Sequence, residues 1–206
     1  ERLERKGRIF RSSSDTEVLL QLYDEVGEAM FDELRGMYAF ALWDGKRQAL
    51  LIARDGYGIK PLYYAQSADG VRIASQVKAL VEAGRVSKAT DLGGEAGFYL
   101  FGSVPEPFTR YQQVRALPAG SFAWVDRSGV TEPRRFFNLA AELCLAVAHA
   151  EPLSGQALQQ RVRQALNDTV KHHLVADVPV GAFLSAGVDS GSLVALMRDA
   201  GQSDIE

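Results

Sequence analysis

The chain has 206 residues, 47% hydrophobic and 24% charged, the composition of a globular protein with apolar material for one core or two. A net charge of −3 without any long run of Lys and Arg leaves no electrostatic footprint for nucleic acid. No apolar stretch approaches the roughly 20 residues that span a bilayer, and Glu1-Arg2-Leu3-Glu4-Arg5 has no signal-peptide core. The single cysteine, Cys144, excludes an internal disulfide, and a cytoplasmic location is expected.

Ser14-Asp15-Thr16-Glu17 predicts a capping box, with Ser14 as N-cap and Glu17 reaching back to it. Val18, Leu19, Leu22, Tyr23 and Val26 follow at helical spacing, so a helix is expected from Asp15 to Val26, with a break at Gly27 and a further turn through Phe31 and Leu34. Residues 37–43 (MYAFALW) and 48–53 (QALLIA), separated by Asp44-Gly45, predict a hairpin. Its near-continuous apolarity implies that both faces are covered, as in a sheet lying between a second sheet and a helical layer. Residues 61–65 (PLYYA) and 71–75 (VRIAS) predict two more strands around Ala68-Asp69-Gly70, and helical patterns follow at 76–83 and 94–101. A proline-punctuated stretch, 104–120, leads to a strand at 121–125 (SFAWV) and a turn at Ser128-Gly129; Arg134-Arg135, after Pro133, reads as a solvated turn. Residues 140–150 carry weak signals and are expected to connect two domains. Beyond Ser154, a stripe of Leu158, Val162, Ala165, Leu166, Thr169, Val170 and Leu174 predicts a long helix. It leads to a buried strand at 178–184 (VPVGAFL), a tight loop and a helix facing Leu193, Val194 and Met197 inward.

The loop Ser185-Ala186-Gly187-Val188-Asp189-Ser190 therefore lies where a strand turns into a helix. Small residues there let backbone N–H groups approach an anion at a helix N-terminus. Ser185 and Ser190 can add hydroxyl donors, and Asp189 could hold a magnesium ion on pyrophosphate. No Lys precedes the Ser, so it is not a Walker A loop; a plain turn capped by Ser and Asp accounts equally well for the local features. Asp15, at a helix start, is already favoured by the macrodipole. Arg54-Asp55-Gly56-Tyr57-Gly58 reads as a turn with positive-φ glycines, fixed by pairing of Arg54 with Asp55; Ser75 could hydrogen-bond near the same place. His172 and His173 fall late in a helix, where a cation is welcome. Cys144, without a basic neighbour, reads as a small hydrophobe rather than a nucleophile.

Three stretches together carry a resemblance: Phe10 with Ser14-Asp15-Thr16-Glu17, then 34–44 (LRGMYAFALWD), then 53–64 (ARDGYGIKPLYY). They resemble the class II glutamine amidotransferase domain. Residues 184–192 (LSAGVDSGS) resemble the SGGxDS pyrophosphate loop of ATP-pyrophosphatases, with Ala186 in place of the first glycine and Gly191 where a serine is usual. Residues 101–109 (FGSVPEPFT), 117–120 (LPAG) and 177–181 (DVPVG) complete a motif order similar to that of glutamine-hydrolysing asparagine synthetases.

The resemblance implies an incomplete α+β Ntn-type αββα sandwich with its interdomain region over 1–138, a connector over 139–153, and the start of an α/β ATP-pyrophosphatase domain over 154–206. It implies Asp15 as the residue that binds the α-amino group of glutamine. Leu184, Ser185, Ala186, Gly187, Asp189 and Ser190 become the ATP-binding loop, with Asp189 toward Mg²⁺. ATP with Mg²⁺ as substrate, no tightly bound organic cofactor, glutamine and aspartate or a related carboxylate as further substrates, and a homodimer follow in the same way. The family's nucleophile is an N-terminal cysteine. The chain opens on Glu1, so a fragment inactive by itself is expected, belonging to an asparagine synthase. The alternative is a divergent or non-catalytic relative with another acceptor, as in polysaccharide or β-lactam biosynthesis.

Overall fold

The computed structural model describes residues 2–202. The chain divides into two compact units, Glu1–Cys144 and Leu145–Glu206.

The first unit opens with α1 (Arg2–Arg5), α2 (Asp15–Val26) and a 3-10 helix (Gly27–Asp32). The hairpin β1 (Ala39–Asp44) and β2 (Ala49–Arg54) follows, then β3 (Tyr63–Ser67), β4 (Gly70–Ala74), α3 (Val77–Glu82) and α4 (Leu92–Phe101). Strands β5 (Val114–Ala116), β6 (Ser121–Asp126), β7 (Gly129–Val130) and β8 (Arg134–Arg135) precede α5 (Leu139–Ala148), which runs across the division between the units. One antiparallel sheet has the order β1-β2-β6-β7, with β8 also on β6; the other has the order β4-β3-β5.

Strand periodicity explains why these residues stack as layers, because successive side chains point to opposite faces. In the first sheet Leu42, Leu51 and Trp124 lie in one cross-strand row and Phe40, Ala53 and Phe122 in another. These rows pack with Leu22, Met30 and Phe31 of the helices. The alternating positions Ile52 and Ala123 pack with Tyr64 and Ile73 of the second sheet. The remaining face of that sheet, with Ala65 and Val114, is covered by Leu80 and Val81 of α3. The layers are helix, sheet, sheet, helix, the expected αββα sandwich. Both faces of β2 are dry, and Leu51, Ile52 and Ala53 have no exposed surface.

Several local readings need correction. The bond pattern at the start of α2 is not a closed capping box: Ser14 Oγ accepts from Thr16 N at 3.2 Å, but the Glu17 carboxylate bonds Arg11 and Ser12 instead of the N-cap amide. Arg134-Arg135 is a short strand rather than a turn. It pairs with Ser121 and Phe122, and Arg134 reaches Glu28 Oε2 at 2.7 Å while lying over the Phe122 ring. Residues 139–148 are helical, since Ala and Leu have high helix propensity even where no apolar stripe forms. Val114–Ala116, which is too short to show an alternation, forms the edge strand β5.

Tyr23 ties α2 to the hairpin tip through its hydroxyl, which donates to Asp44 Oδ2 at 2.6 Å. Burial and then this bond raise its pKa from 10.0 to about 12. The raised value means that the stabilisation is fully present below pH 10 and is lost as pH rises through about 12. Tyr23→Phe should cost about 1 kcal/mol in urea unfolding at neutral pH. The phenolate absorbance difference between wild type and variant should titrate near 12, and a difference that titrates at the ordinary tyrosine pKa would contradict this account.

In the second unit, α6 (Gly155–His173) starts on Ser154, whose hydroxyl accepts from Ala157 N, and α7 (Val188–Asp199) follows. The predicted strand at 178–184 does not form: no β-ladder occurs in this unit among the described residues. A strand needs a partner for its backbone N–H and C=O groups, and Val178, Phe183 and Leu184 are exposed. Of the three residues expected to face inward on α7, Met197 is buried, Val194 half-buried and Leu193 exposed.

Candidate functional site

Asp15 stands at the first helical position of α2, exposed to solvent, and among the described residues its carboxylate accepts one hydrogen bond, from Thr16 Oγ1 at 3.4 Å. Tyr23, eight residues on, touches Asp44 at the hairpin tip. At 1.5 Å per residue Asp15 is about 12 Å back along the helix from that contact. A cleft of about 620 Å³ lined by Trp43, Gln48, Gln66 and Arg127 opens at the hairpin tips, and Asp15 is not among the residues that line it. Its volume does not make it the site.

The turn after β2 is the second candidate. Sequence reasoning paired Arg54 with Asp55, and the structure separates them. The Asp55 carboxylate accepts from the backbone N–H groups of Tyr57, Ile59 and Lys60 at 2.9–3.1 Å. The Arg54 guanidinium donates outward, to the carbonyls of Lys60, Leu117 and Gly58 and to Glu106 Oε1 at 2.5 Å. Glu106 in turn accepts from Ala119 N, so a residue in the proline-punctuated stretch joins the network without any local signal of its own. Of the two glycines only Gly58 has positive φ, at 63°. Ser75 is exposed and follows the end of β4, and among the described residues it makes no bond to this network.

The glycine-containing loop of the second unit places its groups at the start of α7. Gly187 is the N-cap and provides no side-chain cap. The Ser185 and Ser190 hydroxyls meet at 2.9 Å, Ser185 N donates to Ser190 Oγ at 3.2 Å, and Gly187 N donates to Ser185 Oγ at 3.2 Å. The loop is folded on its own hydroxyls, which an anion would engage in place of each other. Asp189 is exposed in the first helical turn. Gly191 faces open space, so the absence of a serine there reflects no steric demand. Leu184 and Ala186 are also exposed. Of the remaining candidates, His172 and His173 bond backbone carbonyls of their own helix through Nδ1, and Cys144 is exposed. No cluster of three or more His, Cys, Asp or Glu suited to a metal occurs among the described residues.

Residues 1–137 match the family model of the glutamine amidotransferase domain. The chain belongs to the glutamine amidotransferase family. A second model, asparagine synthase, matches residues 161–206, which include the α7 loop. Among curated relatives, asparagine synthetase [glutamine-hydrolyzing] 1 of Bacillus subtilis is 36% identical over 97% of this chain and 30% of its own length. Asparagine synthetase B [glutamine-hydrolyzing] of Escherichia coli is 34% identical over 92% of this chain and 28% of its own. The chain thus spans about 30% of the length of the relatives it matches. A solved glutamine phosphoribosylpyrophosphate amidotransferase of B. subtilis aligns over 100% of this chain and 41% of its own, at 21% identity and a TM-score of 0.45. Among the described residues no helix is long and apolar enough to cross a membrane.

Proposed function

We propose that this chain is part of a glutamine-hydrolysing, ATP-dependent asparagine synthase. The observation that carries the reading is the succession, in one chain, of an amidotransferase sandwich and an asparagine-synthase segment whose small-residue loop opens a helix. In this reading Asp15 receives the α-ammonium of glutamine, for which an exposed carboxylate with one weak internal bond is suited. The family's N-terminal cysteine attacks the side-chain amide and releases ammonia. The N–H groups at the start of α7, with Ser185 and Ser190, hold the pyrophosphate of ATP, flanked by Leu184, Ala186 and Gly187.

Magnesium fits this loop in the way it usually binds, through one carboxylate plus substrate phosphates. Asp189 would hold it, and the ion would neutralise charge on the departing pyrophosphate. The acceptor is aspartate, activated as an acyl adenylate, and ammonia displaces AMP from it. A cytoplasmic homodimer is the assembly we propose for the full-length protein.

The test uses the full-length protein with glutamine, aspartate and MgATP. Asparagine, glutamate, AMP and pyrophosphate should appear in equal amounts. Asp15→Asn should raise the KM for glutamine by roughly 10- to 100-fold, the effect of losing one charge-assisted contact. Synthesis driven by added ammonia, which bypasses the glutamine site, serves as the internal control. Formation of ADP in place of AMP would overturn the adenylation step, and an unchanged glutamine KM would overturn the role of Asp15.

A further inference from the structure

We propose that Glu17 is a positioning residue for glutamine, setting the cap register of α2 so that the Asp15 carboxylate is left for the substrate. The proposal rests on the assignment of Asp15 above and adds what holds that residue available.

Two carboxylates stand two residues apart at the same helix start and have opposite surroundings. Glu17 is fully engaged: Oε1 accepts from Arg11 N at 2.8 Å, and Oε2 accepts from Ser12 N at 2.7 Å and Ser12 Oγ at 2.6 Å. Ser12 Oγ also accepts from Ser14 N at 3.3 Å, and Ser14 Oγ caps Thr16 N at 3.2 Å. The chain from Arg11 to Ser14 is thereby wrapped onto the first turn of its own helix. Asp15 takes no part in this wrapping.

The wrapping matters because Ser and Asp are nearly equal as N-caps. Ser14 and Asp15 therefore compete for that role, and intrinsic preference does not decide between them. If the helix started one residue later, Asp15 would be the cap, its carboxylate turned onto the helix amides and lost to a substrate ammonium. Ser14 is held extended, at φ −78° and ψ 136°, the conformation of an N-cap, with Asp15 as the first helical residue. Glu17 enforces that choice from three residues ahead. The Ser12 hydroxyl, followed by the Arg11 amide, lowers its pKa below the usual carboxylate range, so the clamp stays charged at neutral pH.

Glutamine at position 17 keeps the size and loses the charge, and its NH₂ group would face the Ser12 N–H donor. In the full-length protein Glu17→Gln should raise the glutamine KM roughly tenfold, the scale of one lost cap preference, relative to ammonia-driven synthesis. Ser14→Asn, a strong neutral cap, introduced into Glu17→Gln should restore the KM by restoring the register. A merely structural role would lower the melting temperature and leave the glutamine KM unmoved. If Glu17→Gln does not accumulate as folded protein, Ser12→Ala removes one of the three donors and should raise the KM in the same direction. An unchanged KM in Glu17→Gln, or in Ser12→Ala where that variant stands in, together with a raised KM in Asp15→Asn, overturns the proposal and leaves the Asp15 assignment standing. An unchanged KM in Asp15→Asn overturns both.

Discussion

Replacing Arg54 with alanine should destabilise the amidotransferase unit by about 3 kcal/mol, because it takes the donor from the buried Leu117 carbonyl and from the part-buried bonds to Gly58 and Lys60, at about 1–3 kcal/mol per buried group left unsatisfied. Arg54 is 7% exposed and its guanidinium donates to the carbonyls of Gly58, Lys60 and Leu117. It also holds Glu106. Alanine leaves three carbonyls and a carboxylate without that donor, and it removes the group that joins β2 to the stretch before β6. Lysine restores the charge but not the planar fork, so Arg54→Lys should recover less than half of the loss. The measurement is urea unfolding of each variant followed by circular dichroism. A loss under about 1 kcal/mol for Arg54→Ala, the value of a surface pair, would show that the network is not a stabilising element.

The second expected result concerns two adjacent glycines on α4. Asp91 caps this helix through Gly94 N at 3.0 Å and is itself held by Arg115 at 2.6 Å. A Cβ on Gly94 would lie 2.1 Å from the Thr109 carbonyl oxygen, a backbone atom. Thr109 is buried and its hydroxyl accepts from Tyr111 N, so that backbone has little freedom to retreat. On Gly93 a Cβ would meet only side-chain atoms, Asp91 Oδ1 at 3.2 Å and Phe108 Cε1 at 3.3 Å. Both changes gain up to about 1 kcal/mol of helix propensity. Gly93→Ala should therefore be neutral or stabilising. Gly94→Ala should be destabilising by about 2–3 kcal/mol despite that gain, as for overpacked interiors. Thermal unfolding of the two variants checks the sign, and a Gly94→Ala variant as stable as Gly93→Ala would show that α4 shifts freely over residues 104–109.

The first unit was legible where local chemistry and tertiary packing agree. Helix α2 has the bounds that Ser14 and the apolar spacing predict. The doubly apolar strands of the hairpin correctly implied cover on both faces, which the helices and the second sheet supply. The second unit was less legible because the strand predicted at 178–184 depends on a neighbour that its own sequence cannot supply. Apolar content and β-branched residues record only a preference for a ladder.

At the candidate site the sequence by itself determined residue types and order: a carboxylate at a helix start, Arg54 and Asp55 next to each other before a glycine turn, and a small-residue loop ahead of α7. Family membership also follows from that order. Tertiary structure decided the partners. Arg54 and Asp55, adjacent in sequence, bond in different directions: Arg54 ends β2 and reaches across to Leu117 and Glu106, whereas Asp55 begins the turn and accepts from that turn's own N–H groups. Glu17 turned from the expected cap amide to Arg11 and Ser12 because the preceding chain folds back within reach of its two oxygens. Hydrogen-bond partners depend on where separate segments meet, and residue type restricts that choice without making it.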